Sequence, residues 1–132
     1  MQRTKIIAAA ALTTLAMMGT AAADPAPQAD AMTALATRSG CLTCHSIKAA
    51  PPAEQKTKPI GPAWQDVAGK YKGQKAAVAK LTATVIGGSN PYSSHWKGKV
   101  TGLAMPPNEV VLSRPDARKL VKWILSLDDH GT

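Results

Sequence analysis

The sequence predicts an all-α domain, and three observations carry that expectation. Apolar residues recur at helical spacing in separate stretches, most clearly Trp64, Val67, Ala68 and Tyr71, and again Ala117, Leu120, Val121 and Ile124. Helix punctuation bounds these stretches, with Ser113 and Asp116 at one start and Gly40 or Gly87-Gly88 at the stops. No stretch alternates as a strand does, and there is neither an internal repeat nor a low-complexity tract.

The first residues lie outside this pattern. Arg3 and Lys5 precede an apolar run from Ile6 to Met18, and Ala21-Ala22-Ala23 offers a small-residue cleavage site. That is the pattern of a secretory signal peptide over residues 1–23, with the domain spanning 24–132. The run is too short for a bilayer span, so no permanent membrane anchor is expected. A bacterial periplasm is the expected compartment.

Asp24 to Ala29 holds two prolines and reads as a loose leading segment. A first helix is expected from about Asp30, as N-cap, to Ser39, with Gly40 as its left-handed stop. Residues 46 to 59, rich in Lys, Ala and Pro, read as a surface loop. A second helix carries the Trp64–Tyr71 stripe. A third is expected from Gln74 to Ile86, with Val78, Leu81 and Val85 inward. Residues 89 to 102 show no period. Leu103 to Asn108 is extended, because a residue before proline is pushed out of the helical region. Ser113 then caps a last helix whose stripe is widened by Trp123 and Leu127.

Within that frame stands Cys41-Leu42-Thr43-Cys44-His45, which uses both cysteines of the chain. Two thiols three positions apart, followed at once by histidine, form the attachment signature of a c-type haem. On one helical turn both sulfurs can add across porphyrin vinyl groups, and the imidazole of His45 can reach the iron from the same side. A disulfide here would close a tiny loop and stabilise little. A thioredoxin-like pair would follow a strand, and a zinc site would need a second pair of ligands. With three Trp, two Tyr and no Phe, the core is thin. A buried porphyrin adds apolar area at about 25 cal/mol per Å², so the chain without haem is expected to be poorly folded.

Haem iron needs a sixth ligand or an open position, and Met32, Met105, His95 and His130 are the candidates. Met32 lies close to the motif on a helix explained by core packing. Met105 follows His45 by 60 residues on a loop stiffened by Pro106 and Pro107. His95 sits in a loop, and His130 in the tail.

These residues resemble the class I cytochromes c, especially the small bacterial c-551 type. The resemblance spans nearly all of residues 24–132. It rests on Gly40 with the haem motif, on Gly61-Pro62-Ala63-Trp64-Gln65-Asp66-Val67-Ala68, on Met105-Pro106-Pro107-Asn108 and on Leu120 to Ser126. It implies an all-helical fold around one covalently bound haem c, with the first and last helices crossing beside it. It also implies that Cys41 and Cys44 hold the haem, that His45 and Met105 ligate the iron, and that the Pro62 carbonyl accepts the other imidazole proton. Asn108 would hydrogen-bond the Met105 sulfur. Trp96 resembles the tryptophan whose indole N–H reaches a haem propionate, the plain alternative being a partly buried loop aromatic. The loops over 46–60 and 90–104 are longer than the type usually has. Ala36 stands at the position of a common aromatic, and Thr84 at that of the propionate-binding arginine.

Function follows from ligation. A thioether opposite an imidazole favours Fe(II), and two filled axial positions leave no place for substrate. No nucleophile–base pair or carboxylate pair points to bond-making chemistry, so the chain is not expected to be an enzyme. The leading expectation is a soluble periplasmic monohaem carrier of single electrons between respiratory oxidoreductases. The alternatives are a haem subunit dedicated to one periplasmic oxidoreductase complex, and a haem enzyme or sensor if Met105 does not ligate. The chain counts 16 Lys and Arg against 8 Asp and Glu. The leader takes two basic residues with it, leaving 14 against 8, a net charge of +6. Redox partners with acidic docking surfaces are therefore expected, with Lys97 and Lys99 on the loop towards Met105. Nucleic acid is not, for want of a basic-aromatic module. The chain is expected to be a monomer.

Overall fold

A computed structural model describes residues 25–51 and 53–127. The signal peptide expected over 1–23 and His130 lie outside the described residues. Four helices follow in order: α1 over Pro25–Arg38, α2 over Trp64–Tyr71, α3 over Ala77–Gly87 and α4 over Arg114–Leu125. A single 3-10 turn, Cys41–Thr43, separates α1 from the long loop before α2. No strand occurs among the described residues. No helix among them is long and apolar enough to cross a membrane.

Two expectations at α1 need correction. The helix begins at Pro25, not Asp30, so residues 25–29, expected to be loose, form its first turn and the start of the second, and Asp30 lies inside it. The prolines at 25 and 27 fall in the first turn, where backbone N–H groups have no helical partner to lose. The end is as expected, with Gly40 left-handed at φ 74° just beyond the last turn. Leu35 and Ala36 are buried there.

α4 is the hub, packing against α1, α2 and α3. Its start is fixed by Ser113, whose hydroxyl accepts from the Asp116 N–H at 3.2 Å and donates to the Asp116 carboxylate at 2.9 Å. Pro115 sits in the first turn, where it is tolerated. The buried face comprises Ala117, Leu120, Val121, Trp123 and Ile124. Trp64 and Trp123 meet edge to face with centroids 5.8 Å apart, joining α2 to α4.

α3 differs from expectation in both length and face. Gln74 to Ala76 forms turns before the helix, with the Ala77 N–H bonded to the Gln74 carbonyl at 3.0 Å. The buried positions are Ala77, Thr82 and Ile86, while Val78, Leu81 and Val85 are only half covered. The stripe first assigned inward thus lies at the border of the protein core. Thr82 enters the core without an orphan hydroxyl, because its Oγ1 donates to the Val78 carbonyl at 2.6 Å.

Candidate functional site

The haem motif follows α1 directly. Gly40 reverses the chain, and Cys41–Thr43 closes one tight turn. Both cysteines are free thiols, Cys41 half-buried and Cys44 exposed. Burial pushes the Cys41 thiol above its ordinary value. The His45 amide bonds to the Cys41 carbonyl at 3.1 Å, so the histidine begins where the turn ends.

His45 is the most constrained side chain of the site. Its Nδ1 lies 2.8 Å from the Pro62 carbonyl oxygen. A carbonyl can only accept, so Nδ1 carries the proton and Nε2 keeps its lone pair. Burial lowers the imidazole pKa, outweighing the Pro62 hydrogen bond that raises it, and so favours the neutral, ligating form. The same edge of the ring is closed in by backbone. The Gly61 amide bonds to the Cys44 carbonyl at 2.8 Å, and a Cβ on Gly61 would lie 2.8 Å from His45 Cε1. Only glycine fits there. Trp64 stacks 6.0 Å from the imidazole, linking it to Trp123 and α4.

Met105 is half-buried, and its backbone is held at the C-terminal end of α3. Its N–H donates to Ser89 Oγ at 2.8 Å, and its carbonyl accepts from the Ser89 N–H at 2.9 Å. Gly88 makes this approach possible, with φ 81° and ψ 172° and a would-be Cβ 3.0 Å from both the Met105 oxygen and the Pro107 nitrogen. Asn108 is occupied differently from the expectation. Its Nδ2 donates to the Val85 carbonyl at 3.1 Å and the Pro106 carbonyl at 2.8 Å, and its backbone N–H reaches the Val85 and Ile86 carbonyls. Both amide hydrogens are spent on oxygens that α3 and its following loop leave unpaired, so neither is directed at the Met105 sulfur. Asn108 is a clamp on the loop.

The segments leading to Pro62 and to Met105 are also joined to each other. The Thr101 N–H donates to Pro59 O at 2.8 Å and the Gly102 N–H to Ile60 O at 2.9 Å. Trp96 is half-buried, with Lys70 Nζ 5.7 Å and Lys99 Nζ 6.0 Å from its ring centroid. Of the remaining candidates, Met32 packs against the core cluster, and His95 meets Tyr71 edge-on at 6.1 Å.

The residues present fit a haem c. The donor set is two free thiols, an oriented neutral imidazole and a thioether. Met32, Cys41, Leu42, Leu81, Val85 and Trp96 border the core half-covered, the kind of apolar surface a porphyrin face covers. A haem c bound there supplies a one-electron Fe(III)/Fe(II) couple.

An all-helical frame with two free thiols and an oriented imidazole on consecutive turns defines a class, the small c-type cytochromes. The comparisons with known proteins agree. The chain belongs to the cytochrome c family, whose family model matches residues 19–128. It is 43% identical over 102 residues to cytochrome c-551 of Allochromatium vinosum, covering 77% of this chain and 92% of that protein. It is 40% identical over 94 residues to cytochrome c2 of Rhodocyclus tenuis, covering 71% and 89%. The crystal structure of wild-type Nitrosomonas europaea cytochrome c552 superposes with a TM-score of 0.54 at 34% identity, covering 73% of this chain and 99% of that one. The protein is thus a small class I c-type cytochrome with one covalently bound haem c, its relatives being named electron-carrier cytochromes and not enzymes.

Glycine 61, Trp64, Gly88 and Ser89 are site residues that sequence reasoning did not assign. Gly61 and Trp64 belong to the Gly61–Ala68 stretch, whose spacing marks a helix and not a contact with His45. The Gly87-Gly88-Ser89 run reads as a helix stop, and nothing local ties it to a methionine 16 residues beyond Ser89.

Proposed function

We propose that this cytochrome is a soluble periplasmic carrier of single electrons between respiratory oxidoreductases. Residues 1–23 act as a signal peptide, and residues 24–132 are the working domain. Cys41 and Cys44 attach the haem through their sulfurs, His45 is the proximal ligand and Met105 the distal one. The observation that carries the reading is the 2.8 Å contact from His45 Nδ1 to the Pro62 carbonyl, braced by Gly61. It presents a ligating nitrogen in a fixed orientation one residue after the second thiol. Support for the distal ligand comes from the paired bonds between Met105 and Ser89. Filled axial positions keep small oxidants and substrates off the metal, which suits a carrier and not a catalyst. The net charge of +6 over 24–132 favours partners with acidic docking surfaces, met by a monomer.

The test is direct. Mature protein denatured in acid and weighed retains the mass of one haem, whereas free haem beside an unmodified polypeptide overturns the attachment. The reduced protein does not bind carbon monoxide. Binding would mean an open sixth position and the chemistry of an enzyme or sensor. Co-purification with one large oxidoreductase would mean a dedicated subunit instead of a carrier.

A further inference from the structure

The positive charge of the chain is not spread evenly. Residues 53–100 hold eight lysines against Glu54 and Asp66, a net +6, whereas the rest of residues 24–132 balances six basic side chains with six acidic ones. The whole excess therefore belongs to the loop before α2, to α2 and α3, and to the loop that follows α3. Lys56, Lys58, Lys70 and Lys99 line one cleft of about 700 Å³, with Asp66 the one carboxylate among its lining residues. All four lysines are exposed, and none has an ion-pair partner among the described residues. Three separate segments thus bring uncompensated charge to one concavity.

The cleft is organised in advance around half-buried Trp96. The Lys99 and Val100 N–H groups donate to the Trp96 carbonyl at 2.9 and 3.3 Å, and Gly98 supplies the left-handed residue of this turn at φ 78°. The turn carries Lys99 back over its own tryptophan at 6.0 Å from the ring centroid, while Lys70 reaches the same ring from α2 at 5.7 Å. The two ammonium groups are no farther apart than the sum of those distances, about 12 Å. An extended chain presents every second side chain on one face, about 6.7 Å apart, so carboxylates at alternate positions i to i+4 reach over about 13 Å. That covers the spread of the two lysines. A helix about 10 Å across fills roughly 420 Å³ per turn, so the cleft holds less than two turns of one, too little to persist. A plane of lipid headgroups cannot enter a concavity, and a compact ion cannot bridge lysines drawn from three segments.

We propose that this cleft docks an extended acidic segment of a partner protein, with carboxylates at alternate positions meeting Lys70 and Lys99 across Trp96 and further ones meeting Lys56 and Lys58. The proposal rests on the reading of this cytochrome as a carrier that meets acidic partners, and it assigns the place and the form of the contact. Pro62 lines the cleft and its carbonyl holds His45 Nδ1, so the segment is anchored beside the imidazole, while Met105 is not among the lining residues. Pro59, Pro62 and Val100 supply apolar wall between the charges, and a prearranged site loses less side-chain freedom on docking.

The reduced, haem-loaded protein, labelled with nitrogen-15, is titrated at constant ionic strength with two synthetic peptides of one composition. The first alternates aspartate with serine, and the second gathers its aspartates in one block. The alternating peptide shifts the Trp96 indole N–H signal saturably and binds several-fold more tightly than the block peptide. Lys70→Gln/Lys99→Gln weakens its binding about tenfold. Lys75→Gln/Lys122→Gln removes the same charge from exposed positions off the cleft and weakens it less than about threefold. Equal weakening in the two pairs, or equal affinity for the two peptides, overturns the proposal. So do phosphatidylglycerol vesicles that bind through Lys70 and Lys99 while both peptides are inert, which assigns the cleft to a membrane surface. Inorganic phosphate that shifts Trp96 as tightly as the alternating peptide assigns it to a compact anion and overturns the proposal equally. Carbon monoxide keeps the two claims apart. A protein that takes both the alternating peptide and carbon monoxide keeps its docking cleft and loses the carrier reading, and one that takes neither keeps the carrier reading and loses the cleft.

Discussion

Gly88→Ala tests whether the Met105 loop is held by close backbone approach. Gly88 has φ 81° and ψ 172°, a region that is essentially reserved for glycine and costs other residues about 1–3 kcal/mol. The added methyl also meets the Met105 oxygen and the Pro107 nitrogen at 3.0 Å, and the Pro107 Cδ at 3.1 Å. None of these is the free end of a flexible side chain, so relief requires the Met105 loop to move. Overpacking of this kind costs about 1–3 kcal/mol. The molecule contains its own control. Gly73 has φ 74° and nothing within 4 Å of an added Cβ, so Gly73→Ala reports the backbone cost alone, about 1–2 kcal/mol. In denaturant melts of the haem-loaded protein, Gly88→Ala should lose roughly 2 kcal/mol more than Gly73→Ala. It should also weaken the far-red sulfur-to-iron band, which Gly73→Ala leaves alone. Equal losses in the two variants, with the band untouched, would refute the claim that Gly88 positions Met105.

Five further outcomes are expected. Met105→His lowers the reduction potential, because a stronger donor to Fe(III) replaces a thioether; potentiometry that finds no change would point away from Met105. Trp123→Ala, which empties a site only 6% exposed, costs about 3–5 kcal/mol in denaturant melts, and an unchanged midpoint would contradict its burial. Ser113→Ala costs about 1 kcal/mol through the lost cap. The Ser113 hydroxyl first, and Lys119 second, hold the Asp116 carboxyl below its ordinary value, so its contribution is present above the usual carboxylate range and lost as pH falls through the depressed value. Asp116→Asn should therefore flatten the acid limb of the stability profile. Oxidation by an anionic small molecule should slow as salt rises and oxidation by a cationic one should quicken, stopped-flow rates of opposite trend arguing for a locally acidic haem edge.

The parts of this molecule legible in its sequence are those set by local chemistry. Ser113 and Asp116 mark the start of α4, and Trp64, Val67, Ala68 and Tyr71 mark the buried face of α2. The haem motif is equally local. The early start of α1 was hidden because proline reads as a breaker, although in a first turn it removes no helical bond. The face of α3 was misjudged for another reason. Periodicity finds the apolar stripe but not which body it packs against, and Leu81 and Val85 border the core half-covered while Ala77 and Ile86 enter it. Ser89 escaped, and Asn108 was given another partner, because their bonds, to Met105 and to Val85, span 16 and 23 residues. Spacing rules do not see pairings that only tertiary structure creates.

The two backbone bonds between Pro59–Ile60 and Thr101–Gly102 make the loop before α2 and the loop before Met105 a matched set. A Cβ on Gly102 would fall 2.6 Å from the Ile60 oxygen, so the two backbones touch with no room for a side chain. Trimming either loop alone strands the other's amides or carbonyls, and each stranded group must find water or another partner. A graft between relatives of this kind should therefore carry both loops or neither, and inserted residues in one are an invitation to look for compensating length in the other. The proposed proximal and distal sides of the iron site are, in that sense, one piece of backbone carpentry.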